Sequence, residues 1–90
     1  MPKKIAEFKF DDKFNITGRG TVMAGQIISG EISAGNSIYL EDDKTIKISS
    51  IEFGRHSEKK EFVGLLIKPE NIPLEYKLEK LLGKLLIIID

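Results

Sequence analysis

The sequence predicts an all-β domain, an antiparallel barrel or sandwich, that spans residues 1–90 as one unit. Short runs alternate apolar and polar residues, which is the period of a half-buried strand. Turn-forming residues separate these runs about every 8 to 12 residues, as in antiparallel barrels and sandwiches. Helical spacing is confined to one leucine-rich segment, and no repeat or linker divides the chain.

The first two runs predict strands. In "IAEFKF", Ala6, Phe8 and Phe10 fall on one face. Asp11 and Asp12 predict a polar turn after this run. A second strand is expected over residues 21–29, where apolar side chains occupy both faces.

The remaining elements are shorter. "SAGN" (33–36) predicts a hairpin turn, because it holds residues that tolerate positive φ. "SIYL" and "TIKISSIEF" (45–53) predict strands around the turn "EDDK". "FVGLLIK" (62–68) is apolar enough to be buried on both faces. After the two-proline connection "PENIPLEY", the leucines at 74, 78, 81 and 85 allow one helical turn, and "LLIIID" predicts a buried strand.

Five glycines between residues 14 and 35 raise the question of a phosphate-binding loop. A Walker loop needs Lys and Ser or Thr after its last glycine, at the start of a helix. Here Gly25 is followed by Gln26 and Ile27, and the strand alternation continues. The glycines therefore indicate bulges and sharp bends of a small sheet, and no nucleoside triphosphate is expected.

Composition narrows the function. The 14 Lys and Arg balance the 14 Asp and Glu, so tight binding to long RNA or DNA through phosphate contacts is disfavoured. The chain has no cysteine, and its start lacks the apolar segment of a secretory signal. A cytoplasmic protein without a membrane anchor is expected, and no cofactor or metal is expected. His56 and the carboxylates of residues 11–12 and 41–43 are interpreted as solvated loop and turn residues.

The stretch "DKFNITGRGTVMAGQIISGEISAGNSIYL" resembles the start of the second domain of elongation factor Tu and related translational GTPases. That family carries an F-x-I-x-G-R-G-T-V-x-x-G core followed by two spaced glycines, here Gly30 and Gly35. "IEFGRH" and "FVGLLIK" are similar to later strands of the family. The resemblance covers roughly residues 5–68, and loosely the chain up to Ile89. It implies a small closed Greek-key β-barrel of about six strands, which is consistent with the alternation described above.

In that family this barrel holds the terminal adenosine and aminoacyl ester of tRNA and contacts the small ribosomal subunit, while GTP hydrolysis belongs to a separate domain. The resemblance implies a pocket with apolar and glycine walls, an acidic side, and an arginine beside the aminoacyl group. Phe62 stands where the family has an ester-binding asparagine, and an aromatic ring cannot donate that hydrogen bond. The implied binding residues are Ile16, Gly18, Arg19, Val22, Glu52, Arg55, Phe62 and Leu66.

Each of these residues also has a structural interpretation. Aliphatic residues at 16, 22 and 66 suit an inward-facing barrel core. Glu52 and Arg55 suit a surface ion pair. Arg19 suits either an exposed contact or a donor to loop carbonyls.

Three functional classes follow. The first is a non-enzymatic binding module for translation components, meaning the ribosome, a tRNA 3′ end or a separately encoded translation factor. The second is a protein-interaction or structural barrel that no longer acts in translation. The third, an enzyme, lacks a nucleophile–base constellation in the sequence.

Overall fold

The computed structural model describes residues 3–55, 61–73 and 76–90. Seven strands form one antiparallel sheet in the order β4-β3-β7-β1-β2-β6-β5, and the described ranges contain no α-helix. The all-β class and the antiparallel pairing are confirmed. The strands are β1 (Lys4–Ile16), β2 (Gly20–Gly30), β3 (Ser37–Tyr39), β4 (Thr45–Lys47), β5 (Ser50–Arg55), β6 (Glu61–Ile67) and β7 (Leu85–Ile89).

The prediction of a closed barrel is wrong, because β4 and β5 are both edges of the hydrogen-bonded sheet. These two edges are nevertheless consecutive in the chain. Laid flat, seven strands would separate their edges by about 29 Å, whereas the three peptide steps from Lys47 to Ser50 reach at most about 11 Å. The sheet must therefore curl until its edges approach each other.

Where the two edges approach, consecutive residues of the chain form hydrogen bonds with different sides of the sheet. The Ile48 N–H donates to the Asn36 carbonyl on the β3 side (2.8 Å), and the Ser49 N–H donates to the Leu66 carbonyl on the β6 side (2.8 Å). The segment 45–53, predicted as one strand, is thereby divided into β4 and β5. This division accounts for seven strands where six were predicted.

β1 and β2 form a long hairpin with two irregularities. The register shifts between Phe10 and Asp12, so Asp11 is an extra residue opposite Gly25 and Ala24. The predicted turn at Asp11 and Asp12 is wrong, because β1 continues through this bulge to Ile16. A second shift leaves Ile28 of β2 without a partner position, and its side chain is 57% exposed.

The bulge at Asp11 depends on Gly25. A Cβ on Gly25 would overlap the carbonyl of Lys9 and approach the ring of Phe8. β2 is extended through Gln26, so no helix begins there. At this position the glycine serves close packing of two strands, as predicted.

The core lies on the inner face of the curled sheet, and all seven strands or their flanking residues line it. The predicted inward positions of β1 and of the segment 45–53 are confirmed. The fully buried large side chains are Phe8, Phe10, Met23, Ile38, Ile46, Ile48, Leu65, Ile67 and Ile88.

The short elements agree in part with their patterns. The Asn36 N–H donates to the Ser33 carbonyl (3.1 Å) around Gly35 at φ 96°, which is the predicted turn. The prediction that this turn makes a hairpin is wrong, because β3 pairs with β4 and β7 and not with β2. The predicted helical turn is the 3₁₀ segment Leu78–Leu81, and Leu74 lies outside the described residues. The buried C-terminal strand is β7, between β1 and β3.

Candidate functional site

A second apolar cluster lies on the outer face of the β1–β2–β6–β5 part of the sheet. Met23 and Leu65 point into the core, so their neighbours Val22 and Leu66 point outward. Val22 and Leu66 are directly paired across β2 and β6, and only 5% and 6% of their side chains are exposed. Their burial as core residues is confirmed, but they do not belong to the inner-face cluster, so the inward direction expected for them is wrong.

Phe62 covers the glycines of this outer face. Its ring lies where a side chain on Gly54 would be, and its edge is 3.8 Å from the Cβ position of Gly64. The ring also packs on Phe14, with centroids 6.4 Å apart and planes tilted by 44°. The space left by two glycines is therefore filled by an aromatic ring of the same chain.

The turn between β1 and β2 forms the rim of the site. The Arg19 N–H donates to the Ile16 carbonyl (3.0 Å), and Gly18 has φ 80° at the third position of this turn. That conformation is typical of a type II turn and favours glycine there. The hairpin geometry thus fixes the backbone from which the Arg19 side chain departs.

Arg19 reaches a strand two places away in the sheet. Its Nη2 donates to the Glu52 Oε1 at 2.7 Å, and the two side chains are 54% and 38% exposed. The sequence offered Glu52 and Arg55 as an ion pair, and Arg19 as a donor to carbonyls or an exposed contact. Glu52 pairs with Arg19. The Arg55 side chain lies outside the described residues, so the predicted pair of Glu52 with Arg55 stays a prediction.

A cleft of about 700 Å³ opens beside this turn. Four predicted binding residues line it: Ile16, Gly18, Arg19 and Leu66. Glu52 joins the rim through Arg19, Val22 lies beside Leu66 on the neighbouring strand, and Phe62 covers the neighbouring glycines. The lining residues that the sequence did not indicate are Asn15, Gly20, Thr21, Lys68, Pro69 and Glu70.

Register explains how the missed residues reach the cleft. Thr21 pairs with Ile67, so the segment Lys68–Glu70 continues past the end of β6 alongside the β1–β2 turn. Thr21 Oγ1 also donates to Asn15 Oδ1 (3.1 Å) across the hairpin. No local sequence signal joins residues 68–70 to residues 15–21, because their proximity depends on strand pairing.

Charges in the cleft are balanced. Arg19 is paired with Glu52, and Lys68 and Glu70 both line the wall. The described residues hold no group of three or more His, Cys, Asp or Glu side chains placed to bind a metal ion. Among them no helix has the length and hydropathy to cross a bilayer. His56 lies outside the described residues.

Comparisons with protein-family models, with curated proteins and with solved structures found no match to this chain. The likeness to the second domain of elongation factor Tu therefore stays a prediction.

Proposed function

We propose that this chain is a non-enzymatic binding module of the translation-factor type, and that its outer cleft receives the 3′-terminal nucleoside of an RNA. The observation that carries the proposal is the cleft itself. Four residues chosen from sequence resemblance alone line one cavity, and a fifth, Glu52, holds the arginine at its rim. These residues lie on three different strands and one turn.

The charges favour a nucleoside over a run of phosphates. Phosphate recognition needs surplus positive charge, whereas Arg19 is neutralised by Glu52 and Lys68 shares its wall with Glu70. Leu66 and Ile16 offer apolar surface to a base. The Asn15 amide and the Thr21 hydroxyl offer polar groups to a ribose. Binding should therefore be weak and depend little on salt.

Phe62 favours an RNA end without an attached amino acid. Its ring packs on Phe14 and over Gly54, beside the apolar floor of the cleft. The ring offers no hydrogen-bond donor to an ester. Partners of this class are a tRNA 3′ end, the ribosome, or a separately encoded translation factor that presents such an end.

NMR titration tests the proposal with adenosine and with a CCA trinucleotide as probes. Both should shift the amide signals of Gly18, Val22 and Glu52 saturably at millimolar ligand. Glu52→Ala should remove the response, because Arg19 loses the partner that holds it at the rim. Glu31→Ala is a matched control at an exposed acid and should leave it unchanged. Unchanged wild-type spectra would contradict the proposal.

A protein-interaction module is the second candidate, and one observation favours it. Phe53 lies on the edge strand β5, and 79% of its side chain is exposed. An exposed aromatic ring on an unpaired strand edge is a common feature of protein contacts. Sedimentation at several concentrations, compared with Phe53→Ser, distinguishes a self-associating module from a monomeric one.

A further inference from the structure

A second cleft, of about 290 Å³, shares no lining residue with the first. It lies between the end of β3, the segment Leu78–Leu81 and the start of β7. We name it the tyrosine cleft, because Tyr39 and Tyr76 line it. Its floor is formed by apolar side chains that are 4 to 9% exposed, namely Leu40, Leu81 and Leu86.

Three exposed lysines surround this floor: Lys44, Lys80 and Lys84. None of them forms an ion pair with a carboxylate of the described residues, and Glu41 is the single acid among the described lining residues. The chain as a whole has zero net charge, so this is a local excess of positive charge. Such an excess in a concave site attracts an anion.

Both aromatic walls are held in place. The Tyr39 hydroxyl donates to Asp43 Oδ1 at 2.6 Å. The Lys80 ammonium lies 5.9 Å from the centroid of the Tyr76 ring, within the range of a cation–π contact. Burial, and then the charge of Glu41, raises the pKa of Tyr76, so this hydroxyl stays protonated near neutral pH. The cleft therefore presents fixed rings and a hydroxyl donor beside the lysines.

We propose that the tyrosine cleft binds a free nucleoside monophosphate. The lysine ammonium groups would take the phosphate oxygens, as charge-assisted hydrogen bonds. The planar base would pack against the tyrosine rings and the leucine floor. A volume near the lower limit of small-molecule sites suits one nucleotide and excludes a longer strand. The proposal is independent of the RNA-end site, since no residue is shared.

The tyrosines make the test specific. The chain has two Tyr and no Trp, and both Tyr line this cleft. Their ring resonances are followed by NMR during titration with AMP, with adenosine and with inorganic phosphate. AMP should shift the resonances of both rings saturably. Adenosine and phosphate should each bind at least about tenfold more weakly than AMP, because adenosine lacks the contacts with the lysines and phosphate lacks the contacts with the rings. Absence of a shift at millimolar AMP, or phosphate alone binding as tightly as AMP, would overturn the proposal.

Matched lysine variants locate the phosphate. Lys84→Gln should weaken AMP binding at least about tenfold, which is the usual effect of losing one charge-assisted hydrogen bond. Lys77→Gln changes an exposed lysine outside the cleft and should leave the affinity as in the wild type. Equal affinities of both variants would refute the assignment. Glu52→Ala in the first cleft must not alter the tyrosine shifts, so the two proposals fail separately.

Discussion

The Phe62 ring occupies the space that a side chain at position 54 would need, so the ring can keep its place only while residue 54 is glycine. This conflict gives the sharpest prediction. A Cβ at Gly54 would fall inside contact distance of three ring atoms of Phe62. Gly54→Ala must therefore push the ring away from Phe14 and Gly64 or strain the backbone of β5. Removing the ring by Phe62→Ala should abolish this conflict.

The magnitudes follow from burial. Truncating a fully buried phenylalanine costs about 3 to 5 kcal/mol, and Phe62 is half-buried, so Phe62→Ala should cost about 1.5 to 2.5 kcal/mol. Overpacking by one methyl group costs about 1 to 3 kcal/mol, which is the expected effect of Gly54→Ala alone. In the Phe62→Ala background, Gly54→Ala should be close to neutral. The two residues should therefore be coupled by about 1 to 3 kcal/mol.

Urea unfolding of the wild type, both single variants and the double variant measures this coupling. The slope m should stay constant across the four proteins, so that midpoint shifts report stability. Phe53→Ala replaces Phe62→Ala in a control double-mutant cycle with Gly54→Ala. The Phe53 side chain is adjacent to Gly54 in the chain but points to the opposite face, and it is 79% exposed. Additive effects of Gly54→Ala and Phe62→Ala, within about 0.3 kcal/mol, would refute the described placement of the ring.

Two further perturbations test the fold. Gly25→Ala should lower the free energy of unfolding by about 3 kcal/mol or more in urea, because its Cβ meets the rigid backbone of β1. The control Ile28→Ala changes a residue that is 57% exposed on the same strand and should cost less than about 1 kcal/mol. Equal costs would contradict the close approach of Gly25 to β1. The hydrogen bond from Lys13 lowers the pKa of Glu79 from its ordinary value of 4.5. Since a lowered folded-state pKa stabilises above the unfolded pKa, the stability advantage over Glu79→Gln should be present at pH 7 and disappear as the pH falls below 4.5 through the folded-state pKa. An advantage that persists at pH 2 would contradict this ion pair.

The elements of this fold were predictable where the signal is local. Phe8 and Phe10 alternate with polar residues, and that alternation alone assigned them to the inner face. The turn at Ser33–Asn36 follows from its glycine and asparagine. Asp11 misled the prediction, because Asp favours turns and is depleted in strands, and only the pairing with β2 shows that it is the extra residue of a bulge.

The candidate site was predictable only in part. Ile16, Gly18 and Arg19 belong to one short motif, so their proximity is local. The partner of Arg19 is 33 residues away, and nothing in either segment identifies it. Phe62 was identified as unusual from sequence, but its packing over Gly54 depends on the β5–β6 register.

The sequence by itself determined that this chain is all-β, which residues face inward along β1 and the segment 45–53, and where its glycines permit sharp turns and close strands. These properties depend on the two-residue period of a strand and on backbone sterics, which act within a few residues. Only the tertiary structure decided that β7 lies between β1 and β3, that the sheet curls without closing its ladder, and that both clefts form. These features depend on contacts between residues far apart in the chain, since strand order and register are set by the packing of the whole sheet.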